Sequence, residues 1–252
     1  MPCRDLLTVG LLHFRIHLWN PSTAAGVWLP EGGPEHRVLE AFAVESIGAQ
    51  VWLVAYDIGK GGAKGGRQLG YAITGGLLCD LVLRGKLATD GAVCHPVDST
   101  PLGRPALDDL LGRIAAEPDR PRTWLSWIRG YGRDASVAVI EELEEHGRLV
   151  RYERRVLRLL ALTRHSLADP MRADRLHADI RHLLSAPRGT AGEPRRAALA
   201  LLVAGFAPGL TGVEPATLGA RAAELEADLP AGVRAVLTAV RAAKVETVAA
   251  LG

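Results

Sequence analysis

The chain has 252 residues, 48% of them apolar and 23% charged, and a formal net charge of +2. This balance describes a globular protein of one large or two small domains and excludes a disordered chain. No global field demands a nucleic acid, and only four of the thirty basic residues are lysine, so the cationic chemistry is that of arginine, which pairs bidentately with carboxylate and phosphate.

Residues 1–45 read differently from the rest. The stretch NPSTAAGVWLPEGGPEH is turn-rich and poorly periodic, and reads as an N-terminal extension with scope for partial disorder. A misassigned start codon is the alternative. The apolar run Leu6 to Phe14 is far shorter than the ~20 residues of a membrane span. It also lacks the basic flank and small-residue cleavage site of a signal peptide. Cys3, Cys79 and Cys94 make no disulfide framework, so a reducing cytoplasm fits best.

Residues 46–252 read as one domain. AQVWLVAYDI is a buried strand or a short helix, which periodicity does not separate. A glycine-rich loop, GKGGAKGGRQLG, follows and carries Lys60, Lys64 and Arg67. From Gly70 the chain is helical. Between Tyr71 and Arg84, Ile73, Leu77 and Leu81 form a stripe that Leu78 and Val82 widen, the pattern of a buried helix. Asp80 and Arg84 are spaced as an i,i+4 ion pair, and Gly85 is a natural helix stop. KLATDGAV suggests a hairpin turning at Asp90-Gly91.

A second helix is expected over Ala106 to Ala116, with Pro105 in its first turn. RTWLSWI gives a short third one. A fourth runs from an Asp134 N-cap to His146 and stops at Gly147. GRLVRYERRVLRLLAL then reads as a second hairpin with Tyr152 to Arg155 at its tip. Helices follow at Pro170–Leu184, Glu193–Ala204, Pro215–Asp228 and Ala231–Leu251. The fold class is therefore mainly α: a helical bundle, surrounding amphipathic helices and short β-hairpins.

Enzyme signatures are mostly absent. The glycine-rich loop matches no phosphate-binding or dinucleotide fingerprint, although its backbone N–H groups could still meet a phosphate. No G-x-S-x-G occurs. His13 with His17, and Cys94 with His95, lack the further ligands of a metal site. No catalytic residue, metal or cofactor is expected. Between Arg148 and Arg196 twelve arginines face five acids, whereas Asp134 to Glu145 holds five acids and no base. Basic residues beside apolar ones suit an anionic membrane, each worth about 1 kcal/mol. Three or four give roughly 3–4 kcal/mol, or millimolar binding, so docking would need a headgroup pocket, inserted apolar residues or several copies. Salt bridging of the hairpin to the acidic helix is the competing reading.

YAITGGLLCDLVLRGKL, then PALDDLLGRIA, WLSWI, and VIEELEEHGRLV with its hairpin, resemble the Golgi phosphoprotein 3 family from about Ser46 to the C-terminus. The arginine-, alanine- and glycine-rich composition suggests a bacterial, actinomycete-like member. The resemblance implies a non-enzymatic peripheral membrane adaptor of the kind that binds phosphatidylinositol 4-phosphate and the cytoplasmic tails of glycosyltransferases. In this chain the ligand would be an anionic phospholipid headgroup on the inner face of the membrane. The family's pocket tryptophan and first arginine fall near Gly65 and Thr74, and its later arginine pair falls on Arg133 and Ser136. Only Arg133 keeps that chemistry, with Lys64 and Arg67 as substitutes from the loop. The resemblance also implies a membrane-contact hairpin, here Arg151, Arg154, Arg155, Val156 and Leu157. The same hairpin, 148–160, is a candidate for self-association. Two alternatives remain. One is a soluble protein-interaction scaffold without lipid binding. The other is a winged-helix-like nucleic-acid binder, suggested by the helix–glycine–hairpin echo of DLVLRGKL and ELEEHGRL but disfavoured by the four glutamates of the helix Asp134 to His146, which would repel phosphate. The physiological lipid, the protein partner and the oligomeric state are not legible in the sequence.

Overall fold

The computed structural model describes residues 45–156, 160–187, 189, 190 and 192–249. The reading of 1–44 as an extension lies outside them. Among the described residues are eight α-helices and three two-stranded antiparallel ribbons. In chain order these are α1 (Ile47–Val54), β1 (Tyr56–Asp57), β2 (Gly62–Ala63), α2 (Gly66–Leu83), β3 (Leu87–Asp90), β4 (Val93–Pro96), α3 (Pro105–Ala115) and α4 (Trp124–Glu145). Then come β5 (Leu149–Val156), β6 (Leu160–Leu167), α5 (Met171–Ser185), α6 (Pro194–Phe206), α7 (Pro215–Ala227) and α8 (Ala231–Ala249). The fold is mainly α, with short hairpins at its edges. No helix among the described residues is long and apolar enough to cross a membrane.

Helix α2 is the axis of the bundle, and α1, α4, α6 and α8 all pack on it. Every residue from Leu69 to Leu81 is buried, as expected of a helix apolar nearly all round. Two close crossings explain how so many helices reach it. A Cβ at Gly76 would sit 2.6 Å from the Gly48 nitrogen of α1, and one at Gly70 would sit 2.6 Å from the Gly132 carbonyl of α4. Backbone meets backbone at both points, which only glycine permits.

Four expectations are corrected. The open choice over AQVWLVAYDI resolves as helix α1 followed by the tiny ribbon β1–β2, and α2 starts at Gly66, before Gly70. The third and fourth helices are one 22-residue helix, α4, so Asp134 is a mid-helix residue and not a cap. The stretch between the two expected helices holds Gly130 and Gly132, which are poor helix formers, yet Gly132 is where α4 crosses α2. Tyr152 to Arg155 do not form the hairpin tip. Tyr152 pairs with Arg164, and Val156 pairs with Leu160. Arg84 does not pair with Asp80. The Asp80 carboxylate accepts from the Ile47 N–H at 2.5 Å and meets Arg195 at 3.4 Å, while the buried Nε of Arg84 has no hydrogen-bond partner. The β3–β4 hairpin turns where expected, with Asp90 opposite Val93 and Gly91 at φ +58°.

Glu45, last of the residues read as an extension, is buried, with Arg172 at 2.6 Å and Arg148 at 3.7 Å. Burial pushes its carboxyl up, but the arginines outweigh this and hold it below 4.5. Three more carboxyls are lowered: Asp57 by Lys64, Asp98 by Lys86, and Glu144 by Arg151. A folded pKa below the unfolded one contributes stability that is present above the unfolded value and lost as pH falls through the folded one. Asp80 opposes the trend, because burial pushes its carboxyl up. The four lowered groups predict urea midpoints that fall as the pH drops below about 4, while Asp80 acts in the opposite sense as it takes up its proton. A flat profile to pH 3 would show that these pairs do not stabilise the fold.

Candidate functional site

A groove of about 620 Å³ opens where the N-terminus of α2 meets the middle of α4. Its floor is backbone, formed by Gly70 and Gly132 at their crossing, and its apolar wall is Tyr71, Val137 and Ile140. Three guanidinium-bearing residues line it, Arg67 from α2 and Arg129 and Arg133 from α4. The i,i+4 spacing puts the last two on one face of their helix. The N-cap residue of α2 is Gly65, with φ +132° and no side-chain hydrogen bond to the first turn. Its first-turn N–H groups, at Gly66 and Arg67, therefore bring the positive end of the helix to the groove wall. Ser136 also lines the groove, its hydroxyl donating to the Gly132 carbonyl at 2.9 Å.

Of the residues expected from sequence, the structure gathers Arg67, Arg133 and Ser136 at this groove. Two are placed elsewhere. Thr74 is fully buried one turn further along α2, and its hydroxyl is used by the Gly70 carbonyl at 2.9 Å. Lys64 is exposed but outside the lining, ion-paired with Asp57. Arg129 was missed because it fell in the stretch read as a break between helices. In a continuous helix, its four-residue distance from Arg133 is the signal that finds it. Arg129 is ion-paired with Glu246 near the end of α8. Arg133 has no ion pair among the described residues.

Across Val137 lies a second groove of about 480 Å³ with the opposite charge, lined by Asp109, Asp134, Glu141 and Glu145. Arg113 there bonds Asp109 at 3.1 Å and Asp134 at 3.3 Å. The Tyr131 hydroxyl donates to Asp109 at 2.5 Å, and burial followed by this carboxylate pushes the phenol up.

The two readings of the basic hairpin divide between its residues. Arg151 grips Glu144 of α4 with two bonds, at 3.0 and 2.9 Å, and His165 joins them at 2.8 Å. Arg154 is exposed and has no ion pair among the described residues. Arg155 and Val156 close the described part of β5, and Leu157 lies outside it. Among the four glutamates of α4, Glu142 is buried against Arg104.

No curated protein matches the chain at a significant level. The family model for Golgi phosphoprotein 3 (GPP34) matches residues 47–245, from the first residue of α1 almost to the end of α8. With that match covering most of its length and the whole helical bundle, this chain belongs to the Golgi phosphoprotein 3 family.

Proposed function

We propose that the protein is a non-enzymatic peripheral membrane adaptor that takes an anionic phospholipid headgroup into the groove between α2 and α4. The observation that carries this reading is the convergence of Arg67, Arg129 and Arg133 on one groove beside an uncapped helix N-terminus. Arginine forks match phosphate oxygens in pairs, and a helix N-terminus adds N–H donors and a positive field. Val137 and Ile140 offer an apolar wall for the non-phosphate part of the headgroup. Arg154, Arg155, Val156 and Leu157 of the hairpin supply further membrane contact, and the same hairpin is the element for self-association. The bilayer met is the inner face of the cell membrane, and no nucleic acid is bound.

Co-sedimentation at low salt tests this, using vesicles of phosphatidylcholine alone, with phosphatidylserine, and with phosphatidylinositol 4-phosphate. Binding to the anionic vesicles is expected, strongest for the phosphorylated headgroup and weakening as salt rises. Failure to bind any anionic vesicle would leave the protein-interaction scaffold as the better reading.

The ion pair between Arg129 and Glu246 makes the groove self-competing. Glu246 occupies a guanidinium that a phosphate would use. Exposed pairs contribute about 0–1 kcal/mol, so Glu246→Gln should tighten vesicle binding by about 2–5-fold. Unchanged affinity in the same assay would show that Arg129 takes no part.

A further inference from the structure

The turn between β1 and β2 holds an apolar residue in the open. Ile58 is 78% exposed, and exposed Lys60 stands two residues on. The only acid of the turn, Asp57, is already engaged: Oδ1 accepts from the Gly59 N–H at 2.8 Å, and the other oxygen pairs with Lys64.

This turn is fastened to the β5–β6 hairpin. The His165 N–H donates to the Gly61 carbonyl at 2.9 Å, and the Tyr56 hydroxyl donates to the His165 carbonyl at 2.8 Å. A Cβ at Gly61 would fall 2.8 Å from the Tyr152 hydroxyl and 3.1 Å from the Arg164 Cβ. The turn therefore lies against the hairpin face that presents Tyr152 and Arg164. Strand alternation puts Val150 and Arg154 on that face from β5, and Leu162 and Ser166 from β6. Val150 is 54% exposed, Tyr152 43% and Leu162 37%. The charged groups on this face are Arg154 and Arg164, neither of them ion-paired among the described residues. Glu153 belongs to the opposite face.

We propose that the β1–β2 turn is a membrane-inserting element, with Ile58 entering the acyl boundary beside the hairpin face while Lys60, Arg154 and Arg164 meet anionic headgroups. This rests on the lipid reading above and specifies where the bilayer is met. A cluster of exposed apolar residues ringed by cations that have no ion pair, and with no free acid, among the described residues complements an anionic surface. A second copy is a poor occupant of this face, because a two-fold pairing here would set Lys60, Arg154 and Arg164 against their own kind, so self-association falls to the rest of the hairpin. The tip is also near the groove. Five residues of chain from Gly61 to Gly66 span at most about 18 Å, so one vesicle surface can engage both.

The test uses the full chain with phosphatidylcholine vesicles containing phosphatidylserine and phosphatidylinositol 4-phosphate, and separately the deacylated headgroup glycerophosphoinositol 4-phosphate. Ile58→Ser should weaken vesicle binding about 10-fold, most visibly at high salt, where the buried apolar area carries what remains. Binding of the deacylated headgroup should not change. Ile58→Trp should restore vesicle binding, with an emission blue-shifted on binding and quenched by brominated lipid beyond the signal of the parent chain. Should Ile58→Ser bind vesicles as the parent does, or lower the molecular mass in solution, the turn is not a membrane element even though the groove reading stands. Should the parent bind no vesicle at all, both readings fall together.

Discussion

Replacing Glu142 with Ala is expected to lower the unfolding free energy by about 3–5 kcal/mol, the cost of breaking a buried ion pair from one side. Both partners are nearly inaccessible, with side-chain exposures of 1% for Glu142 and 5% for Arg104. One carboxylate oxygen meets the Arg104 guanidinium at 2.7 Å, and the other accepts the Ala106 N–H at 3.2 Å, at the start of α3. Glu142 thus joins the last turns of α4 to the first turn of α3. Its loss takes the Glu142 carboxylate from the Arg104 guanidinium and leaves the Ala106 N–H without its acceptor, so two penalties act together. For a domain of this size the melting temperature should fall by roughly 10 °C. The paired change Arg104→Met with Glu142→Leu removes both charges and should recover most of the loss, since a well-packed apolar pair replaces a buried ionic one at little cost. Urea unfolding of the single and double variants measures this directly. A single variant within about 1 kcal/mol of the parent would mean that the pair does not hold α3 to α4.

The second large effect concerns binding. Arg129→Ala combined with Arg133→Ala should weaken binding to vesicles carrying phosphatidylinositol 4-phosphate by about 100-fold, because each charge-assisted hydrogen bond contributes about 1.5–3 kcal/mol. Arg133 should account for the larger share, since it has no competing ion pair among the described residues and Arg129 must first leave Glu246. Binding to vesicles with phosphatidylserine alone should fall less, because a diffuse surface charge is met by any nearby cation, Arg67 and the hairpin arginines included. Neither residue belongs to the buried core, so the folded fraction should not change. Equal losses on the two vesicle types would mean that these arginines form a surface patch and not a headgroup pocket.

The axis helix, the helix opening at Pro105, the Asp90-Gly91 hairpin and the helical C-terminal half were all legible, because apolar spacing and glycine stops are local signals. What the sequence hid were contacts between distant segments. Gly130 and Gly132 look like a helix break until Gly70 is known to pass against Gly132, and with that false break Arg129 dropped out of the candidate site. The i,i+4 spacing of Asp80 and Arg84 implied an ion pair, but the Ile47 N–H and Arg195 reach the carboxylate from other helices. Thr74 entered the candidate site through the family resemblance and is buried in the bundle. Lys64 was placed near the site by its position in the loop, and its partner Asp57 is brought beside it only by the β1–β2 ribbon. Arg133, by contrast, stands where the family resemblance puts an arginine, and it lines the groove.

The crossing of α2 and α4 acts as a gauge. Arg67 and Arg133 stand on two helices whose separation is fixed where Gly70 meets Gly132, backbone against backbone. The distance between their Cα atoms is therefore a main-chain dimension, and the side-chain rotamers adjust the two charges only about that fixed span. A single methyl at Gly70 would open the jaws without altering any charge, and the size of anion that fits would change while the net charge of the site stayed the same.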